Sequence, residues 1–551
     1  MSLDYESKTT APKKHASFVS AAKIISLLTL ASRILGVLRE SIAARIFGAG
    51  VMASAFAVAF TVPNLFRRLF GEGALSAAFI PLYAKAIKEH DDAEARRFAS
   101  GAVNLLILIL VTLTLAGEAL LWGLSFLQMP PDRYIALQLT AIMLPYMILI
   151  CAAAFLGAIL NVHRRFAAIA AAPIVLNIAL IATTLWGARL FNMNTGLGQF
   201  HAMLLVSVGV LVAGAFQVAM LAPSLRTIGF RFDFHAGLWT PAIRRMVTLS
   251  IPVALGAGVL QISTLLDRGI SFLLAQSYDN SGRLVSHFHL LGHTFTYPMV
   301  SGAAARLAWA QYLYQFPLGV FAIALATAIF PMLAADALEK DRTKFKEGLR
   351  KGIAVTLWEG LPASIGLIFV AGPAVQLLFE RGRFLPQDTA WTALSVQVYS
   401  IAVWAYSLQQ ILNRAYYALH DTVTPLVMSI VTLAVNLIVE IPLVWTRLGE
   451  AGMAAGTTAS FILQAVVMLW MLNRRVGGLE LRQITGHVLK VLIATAVMTL
   501  ACCAVKLAPI FHADLSKKTA LLRLCILVAV GGITYLAACW SLGIRHPAPR
   551  R

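Results

Sequence analysis

Five arginines lie in sequence that is otherwise apolar enough to cross a lipid bilayer: Arg33, Arg39, Arg45, Arg67 and Arg68. An arginine at the centre of a membrane helix costs about 2.5–3.5 kcal/mol on insertion scales, so several together require a compensating interaction. Guanidinium groups inside membranes face a bundle interior or a wet cavity, and their planar fork of donors suits bidentate capture of phosphate or carboxylate. The pattern therefore predicts an anion-binding site inside a membrane protein.

The arginines of the first apolar stretch are not equivalent. Arg33 and Glu40 are seven residues apart and lie close in azimuth on an ideal helix, so we expect Glu40 to support the site by neutralising part of its charge. Arg39 lies on another face, and Gly36 can permit a bend that brings both arginines to one ligand. Arg45 lies near the outer end of the stretch, where a snorkelling arginine that anchors the helix at the interface is the ordinary interpretation.

The second apolar stretch contains a proline next to its charges. Pro63 removes a helix hydrogen bond and predicts a kink flanked by Asn64, and breaks beside charge are typical of substrate cavities. Arg68 and Glu72 are four residues apart, so we expect them to pair, which leaves Arg67 as the less compensated cation. We predict Asn64, Arg67 and Glu72 as site residues and Arg68 as a supporting residue.

Oxygen-bearing side chains recur in the second half of the chain. Asp267 lies in one apolar stretch, Asn436 and Glu440 lie four residues apart in another, and Thr457 follows in a third. Carboxylate, amide and hydroxyl oxygens at membrane depth suit sodium or a proton relay. Because Arg268 directly follows Asp267, a buried ion pair explains that carboxylate equally well.

Composition indicates the class of protein. Hydrophobic residues make up 59% of the 551 residues, charged residues only 13%, and the mean hydropathy is +0.78. These values lie outside the range of soluble globular proteins, so we predict an all-α polytopic membrane protein. A scan for apolar stretches of about 20 residues predicts about fourteen transmembrane helices. The predicted spans are 20–47, 51–71, 98–127, 134–160, 166–188, 200–224, 247–276, 304–334, 352–379, 391–418, 424–446, 450–473, 486–508 and 519–543.

The spans divide into two sets of six and a final pair. An even number of spans in each set favours two parallel repeats, and a short echo between Leu160–Asn177 and Leu412–Asn436 favours the same interpretation. The predicted organisation is a cytoplasmic tail (1–19), an N-lobe of helices 1–6 (20–224), a cytoplasmic connector (225–246), a C-lobe of helices 7–12 (247–473), and helices 13–14 with a cytoplasmic tail (474–551).

The formal net charge of +20 follows the predicted topology. If the amino terminus is cytoplasmic, the dense Lys/Arg clusters all follow even-numbered spans, as the positive-inside rule requires. We therefore expect a multi-pass protein of the bacterial inner membrane with both termini cytoplasmic and with no cleavable signal peptide. No basic stripe with interleaved aromatic residues occurs outside the spans, so we expect no nucleic-acid partner.

The sequence contains no motif that would carry catalysis. A Gly-rich phosphate loop, HExxH and GxSxG are all absent, so we expect a transporter and not an enzyme, with no cofactor. The five cysteines fall inside spans without CxxC spacing, which favours neither disulfides nor zinc. His287, His289 and His293 cluster in one loop without acidic partners, so we predict no metal site beyond possible sodium.

Six segments of the chain form an ordered set of motifs. They are SRILGVLRESIAARIFGAG (Ser32–Gly50), PNLFRRLFGEGALSAAFIP (Pro63–Pro81), GAILNVHRRFAAIAAAP (Gly157–Pro173), QFPLGV (Gln315–Val320), FERGRF (Phe379–Phe384) and NRAYYALHDTVTP (Asn413–Pro425). Their order resembles the signature of the MurJ (MviN) lipid II flippases, a family of the multidrug/oligosaccharidyl-lipid/polysaccharide exporter superfamily. The resemblance covers essentially the whole chain.

The resemblance implies a fold and an activity. It implies two six-helix lobes around a central cationic cavity, with two further helices that form a hydrophobic groove for a lipid tail. It implies alternating-access movement of lipid II, an undecaprenyl-pyrophosphate-linked disaccharide-pentapeptide, from the cytoplasmic to the outer leaflet. Membrane lipids and the cell-wall synthesis machinery are the further partners we expect. The family's essential arginines fall on Arg33, Arg39 and Arg67, the three that the spacing of charges favours.

The resemblance also implies a coupling ion. The family's sodium site resembles Asp267, Asn436, Glu440 and Thr457, with Glu440 where sodium-binding relatives have aspartate. Since a longer carboxylate can still coordinate a cation, we expect Na⁺ or H⁺ as the coupling ion.

Two departures from the family pattern concern the eighth span. Many members have an arginine and a glutamate where this chain has Tyr312 and Gln315, so a third cation would have to come from Arg306 or Arg268. The missing charges leave a second interpretation open, an exporter of another polyprenyl-linked saccharide or a drug/ion antiporter of the same superfamily. A non-transporting scaffold is a third, although intramembrane arginines without a ligand would be costly.

Overall fold

A computed structural model describes residues 12–71, 74–89, 91–279, 283–290, 292–339, 341–511 and 516–544. Within these ranges the protein is almost entirely helical. The α-helices, numbered in chain order, are Pro12–Phe47 (α1), Val51–Phe66 (α2), Ala74–Glu89 (α3), Asp92–Ser125 (α4), Pro131–Met143 (α5), Tyr146–Val162 (α6), Ala167–Leu190 (α7), Gly196–Thr227 (α8), Pro241–Leu273 (α9), Ala303–Pro317 (α10), Ile323–Asp336 (α11), Thr343–Phe379 (α12), Pro386–Ser400 (α13), Val403–Ala418 (α14), Val423–Val444 (α15), Glu450–Arg475 (α16), Arg482–Lys506 (α17) and Lys517–Ser541 (α18).

Each of the predicted spans overlaps a described helix. In the described ranges, nine helical segments are long and apolar enough to cross a membrane, and a bent pair within α9 makes a tenth. The remaining predicted spans fall on helices that do not meet those limits of length and apolar character. The predicted fold class, an α-helical polytopic membrane protein, is confirmed.

Two predicted spans are interrupted by a π-helical turn. The first turn, Arg67–Gly71, directly follows α2, and the second, Leu318–Ala322, separates α10 from α11. Each turn follows a proline, Pro63 or Pro317, that cannot donate a backbone hydrogen bond. The kink that we predicted at Pro63 therefore takes the form of a helix that continues to Phe66 and then widens. Single π-turns inside helices are frequent at functional sites.

The sequence echo between the two halves has a structural counterpart. Arg164, after α6, and His420, after α14, both adopt φ of 58°. The next backbone N–H in each case donates to a helix carbonyl at 2.9 Å, Arg165 to Leu160 and Asp421 to Tyr416. The same left-handed helix end at related places in the chain is what a repeat would produce.

Asp421 organises the turn between α14 and α15. Its carboxylate accepts hydrogen bonds from the backbone N–H and the hydroxyl of Thr424, at 2.9 and 2.7 Å, and forms an ion pair with Arg475. Burial alone would raise the pKa of this carboxyl, but the hydrogen bonds and the Arg475 guanidinium lower it overall. The ionised carboxylate therefore stabilises the turn.

The described helices pack into two compact units. The first unit comprises the described residues within Met1–Ile42, Phe66–Phe126 and Ala141–Ala254, and the second those within Ala43–Leu65, Leu127–Thr140 and Leu255–Arg551. The lobe boundaries given by the spans, 20–224 and 247–473, remain predictions.

Each unit has an aromatic cluster in its interior. In the first unit the rings of Phe79 and Phe155 lie 4.4 Å apart, centroid to centroid. In the second, Tyr314 lies 4.7 Å from Tyr399 and 5.2 Å from Tyr406. These buried rings pack α3 against α6 in the first unit and α10 against α13 and α14 in the second.

The final helix pair is fastened to α12 by a hydrogen bond. Tyr535 of α18 donates its hydroxyl to the carbonyl oxygen of Trp358 at 2.6 Å. Pro362, four residues after Trp358, has no N–H and cannot donate the usual helix hydrogen bond to that carbonyl. Tyr535 thus supplies a donor where the proline supplies none.

The segment between α9 and α10 forms two short antiparallel hairpins. Strands Ser277–Tyr278 (β1) and Leu284–Val285 (β2) pair, and so do His287–Leu290 (β3) and His293–Thr296 (β4). The histidine cluster of the sequence lies on β3 and β4, and the hydrogen-bonded ladder sets the spacing of its members.

Candidate functional site

The Arg39 guanidinium is held by two side chains of the first unit. Its Nη1 donates to Oδ1 of Asn177 at 3.0 Å, and its Nη2 forms an ion pair with Glu40. The Arg39 side chain is only 19% exposed. Within the described residues these contacts engage two of the five guanidinium N–H donors, which leaves three to bind an anion.

Asn177 of α7 connects two points on one face of α1. It is buried, and its Nδ2 donates to the carbonyl oxygen of Ser32 at 3.0 Å. Ser32, Gly36 and Arg39 share this face because they are spaced by four and three residues. We expected Gly36 to permit a bend, but α1 is a single helix through it. Gly36 is buried and lies between the two positions that Asn177 contacts.

The expected pair of Arg33 with Glu40 is wrong. Glu40 pairs with its neighbour Arg39, while the Arg33 side chain is exposed. Seven residues of helix correspond to about 10 Å of rise, so azimuth alone does not bring Arg33 within reach of Glu40. The Arg45 side chain is also exposed, and its backbone carbonyl accepts a hydrogen bond from Arg383 at 3.0 Å.

The first π-helical turn lies in the same unit as Arg39. Arg67 and Arg68 occupy its first two positions and are half-buried, and the turn packs on α6. Arg67 and Arg39 both lie close enough to interact electrostatically with the hydroxyl of buried Tyr146 at the start of α6. Two of the three predicted anion ligands therefore lie in the first unit, within electrostatic range of one tyrosine.

Two further predicted residues flank this turn. Asn64 is half-buried in the last turn of α2. Glu72 lies outside the described residues, so its predicted role and its pair with Arg68 stay predictions.

Three of the four predicted cation ligands meet in the second unit. Asn436 Nδ2 donates to Asp267 Oδ1 at 2.8 Å and to Glu440 Oε2 at 3.1 Å. All three residues are buried, with Glu440 fully inaccessible. Oδ1 of Asn436 and Oε1 of Glu440 are buried without a hydrogen-bond partner among the described residues. Two carboxylates in so dry a site must take up protons or be paired with positive charge, and the two unpartnered oxygens are suitable ligands for a cation.

Thr457 lies beside this group without joining its hydrogen bonds. Its hydroxyl donates to Met453 of its own helix at 3.2 Å. The preceding residue, Gly456, approaches α15 so closely that an added Cβ would lie 2.6 Å from the Cβ of Glu440. The glycine therefore sets the distance between α16 and the carboxylate.

The two candidates for a third cation have other partners. Arg268 donates to Thr61 Oγ1 at 2.8 Å. Arg306 is 2% exposed and bonds Glu450 at 2.7 Å and Asp388 at 3.1 Å. The suggestion that Arg306 supplies charge to the cavity is wrong, because two carboxylates neutralise it in the interior of the second unit.

Three residues with important contacts in the structure were not predicted as site residues. Asn177 was noted only as part of the repeat, although an amide in an apolar helix requires a partner. Glu450 and Asp388 received no role, although buried carboxylates are costly in a chain with so few charges. Their polarity was a usable signal, but their partners lie 138, 144 and 82 residues away in sequence.

Comparison with known proteins gives a consistent result. The family model described as "Lipid II flippase MurJ" matches residues 43–525. A probable lipid II flippase MurJ of Rhizobium meliloti (strain 1021) is 30% identical over 537 residues, which cover 96% of this chain and 94% of that protein. A probable lipid II flippase MurJ of Bdellovibrio bacteriovorus is 27% identical over 533 residues, with 95% of each chain covered.

Solved structures share the fold. A lipid II flippase MurJ in an inward closed conformation superposes with a TM-score of 0.71 at 24% identity, over 95% of this chain and 99% of that one. An inward-facing MATE multidrug resistance transporter of the MOP superfamily superposes with a TM-score of 0.62 at 15% identity, over 81% of this chain and 95% of that one.

Proposed function

Since the chain belongs to the lipid II flippase MurJ family, we propose that it moves lipid II from the cytoplasmic to the outer leaflet by alternating access. It is a membrane transporter and not an enzyme. The observation that carries the proposal is the half-buried Arg39 guanidinium, held by Asn177 and Glu40 in the same unit as Arg67. A lipid-linked pyrophosphate is an anion of the right kind for two guanidinium groups.

The proposed binding step replaces water around the pyrophosphate with fixed donors. Arg39 supplies the three N–H groups that its protein contacts leave, and Arg67 supplies a second fork. Arg33 and Asn64 are proposed as further contacts, and Glu72 as a residue of the same site. Arg68 and Glu40 support the charge of their neighbours. In a low-dielectric cavity these charge-assisted bonds are stronger than in water, which favours the anion over its hydrated state.

Outward movement of the lipid is proposed from two facts together, the charge of the loops, which sets the orientation of the protein, and the membrane potential. The positive-inside rule places both termini in the cytoplasm of a bacterium, with the protein in its inner membrane. An inside-negative potential favours outward movement of an anion by about 2.3 kcal/mol per charge per 100 mV. Contacts with the cell-wall synthesis machinery are part of the same proposal.

We propose sodium as the coupling ion, bound by Asp267, Asn436 and Glu440. The supporting observation is the pair of buried oxygens without partners in a site that holds two carboxylates. Sodium should raise the melting temperature of the purified protein, and Asn436→Ala should abolish that effect. Ser429→Ala is the matched control and should retain it, because Ser429 lies on the same helix as Asn436 and its hydroxyl donates to the Pro425 carbonyl at 2.9 Å. If the melting temperature depends on pH and not on sodium concentration, the coupling ion is a proton instead.

One observation favours a second candidate substrate. Tyr312 is half-buried and Gln315 exposed on α10, and both are neutral where the family resemblance implies charge. A different polyprenyl-pyrophosphate-linked saccharide would use the same arginines and fewer contacts to the head group. The cationic site disfavours a cationic drug as substrate.

Replacement of a depleted peptidoglycan flippase in growing bacteria tests the proposal. The wild-type chain should restore growth, and Arg39→Ala and Arg67→Ala should each abolish rescue at equal membrane abundance. Arg45→Ala is the matched control, an exposed arginine of the same helix as Arg39, and should still rescue. Lack of rescue by a well-expressed wild-type chain would contradict lipid II as the substrate.

A further inference from the structure

Each unit contains an asparagine that holds a charged residue on a neighbouring helix. In the first unit, Asn177 of α7 contacts Arg39 of α1. In the second unit, Asn436 of α15 contacts Asp267 of α9. The two asparagine helices are the fifth and eleventh predicted spans, and the two partner helices are the first and seventh. The contacts therefore occupy the same place in each half of the predicted repeat.

The charged residues also correspond in sequence. Leu38 precedes Arg39 and Glu40 on α1, while a leucine precedes Asp267 and Arg268 on α9. The order of charges is exchanged between the halves, so that the asparagine meets a cation in one unit and an anion in the other. The same scaffold thus presents opposite charges to a ligand.

The second hydrogen-bond partner of each asparagine side chain determines whether its oxygen or its nitrogen faces the charged residue. An amide can accept through oxygen or donate through nitrogen, and the hydrogen-bond network fixes its orientation. The carbonyl of Ser32 can only accept, so it takes Nδ2 of Asn177 and turns Oδ1 towards Arg39. Glu440 likewise takes Nδ2 of Asn436, which leaves that nitrogen to donate to Asp267 as well.

We propose that Asn177 is a positioning residue that fixes the Arg39 guanidinium for the substrate pyrophosphate and keeps the first-unit site selective for anions. The inference rests on the proposed function, in which Arg39 binds the pyrophosphate. Without Asn177, Glu40 is the remaining described partner of Arg39 and draws the guanidinium along α1. Misplacement of a positioned group by about 1 Å can cost 100-fold in function.

Two substitutions of Asn177 separate the orientation of the Arg39 guanidinium from the net charge around it. Asn177→Ala removes the acceptor and frees the guanidinium. Asn177→Asp keeps the size, but it places a second carboxylate against Arg39 and an oxygen against the Ser32 carbonyl. The local charge around Arg39 then changes from neutral to negative, so Asn177→Asp should weaken anion binding more than Asn177→Ala does.

The test is a double-mutant cycle on the full chain in lipid nanodiscs, with undecaprenyl pyrophosphate as the titrated probe. Asn177→Ala should weaken binding by about 10–100-fold. The double variant Arg39→Ala with Asn177→Ala should bind within about threefold of Arg39→Ala alone, because Asn177 acts through Arg39. A structural role would instead lower affinity additively in the two backgrounds.

The matched control is Asn104→Ala, since Asn104 is a half-buried amide of the same unit that donates to the Asp233 carbonyl at 3.1 Å and not to Arg39. It should leave affinity unchanged. Additive losses, or an Asn177→Asp variant that binds as well as wild type, would overturn the inference while leaving Arg39 as a ligand. If Arg39→Ala itself binds normally, the proposed function fails, and the inference fails with it. Should Asn177→Ala fail to fold, Asn177→Asp and its double variant with Arg39→Ala carry the same cycle.

Discussion

Removal of the Arg306 side chain should destabilise the second unit far more than removal of an exposed cation. Its Nε lies 2.9 Å from both carboxylate oxygens of Glu450, and its Nη2 lies 2.7 Å from one of them. Its Nη1 reaches Asp388 at 3.1 Å, and both Arg306 and Glu450 are 2% exposed. Arg306→Met fills similar space but leaves two carboxylates without a cation. Breaking a buried ion pair in this way costs about 3–5 kcal/mol.

Equilibrium unfolding in mixed micelles measures this cost. Lys85→Ala is the control, because the Lys85–Glu89 pair is 3.4 Å apart with both side chains more than half exposed. Such a surface pair contributes about 0–1 kcal/mol. If the free energy of unfolding falls equally in the two variants, the buried network does not stabilise the fold as argued. Affinity for the pyrophosphate lipid should be unchanged in Arg306→Met, because the wild-type guanidinium is already occupied.

Three further predictions concern local contacts. Tyr535→Phe removes the hydroxyl that donates to the Trp358 carbonyl at 2.6 Å, and it should lower the free energy of unfolding by about 1 kcal/mol, the net contribution of a typical hydrogen bond. Gly456→Ala forces α16 away from α15, so we expect the free energy of unfolding to fall by about 1–3 kcal/mol and sodium to stabilise the protein less in a thermal melt. An unchanged response to sodium would show that this close approach does not shape the cation site. The pKa of Asp421 lies below its ordinary value, so the stabilisation that its carboxylate gives the fold is complete above about pH 4 and disappears as pH falls through the lowered pKa. The free energies of unfolding of wild type and Asp421→Asn should differ at pH 7 and converge in acid, and a difference that is constant with pH would contradict this expectation.

The fold was predictable because each membrane-spanning helix requires a continuous apolar stretch of about 20 residues, which can be found in the sequence. The family resemblance predicted from motif order is confirmed by the match over residues 43–525. The π-helical turns were not predictable in form, because a proline specifies a missing hydrogen bond and not how the helix accommodates it. The predicted pair of Arg33 and Glu40 was wrong for a geometric reason. Two residues at the same azimuth of a helix can still lie far apart along its axis.

The residues of the candidate site were easier to predict than their partners. Arg39 and Arg67 stood out because charge in an apolar run is expensive. The side chains that hold or neutralise such charge come from distant parts of the chain, as Asn177 does for Arg39 and Glu450 does for Arg306. One sequence carries no direct record of which helices become neighbours, so these contacts required the structure.

Transport of lipid II across the bilayer of sealed vesicles tests the central claim most directly. The purified chain should move labelled lipid II to the opposite leaflet, measured by its accessibility to a membrane-impermeant reagent. Arg39→Ala and Arg67→Ala should each reduce the initial rate at least about 30-fold, the loss expected when a charge-assisted contact worth about 2 kcal/mol or more is removed. Arg45→Ala should transport at the wild-type rate. Equal rates in all four proteins would contradict the assignment of these arginines to the pyrophosphate.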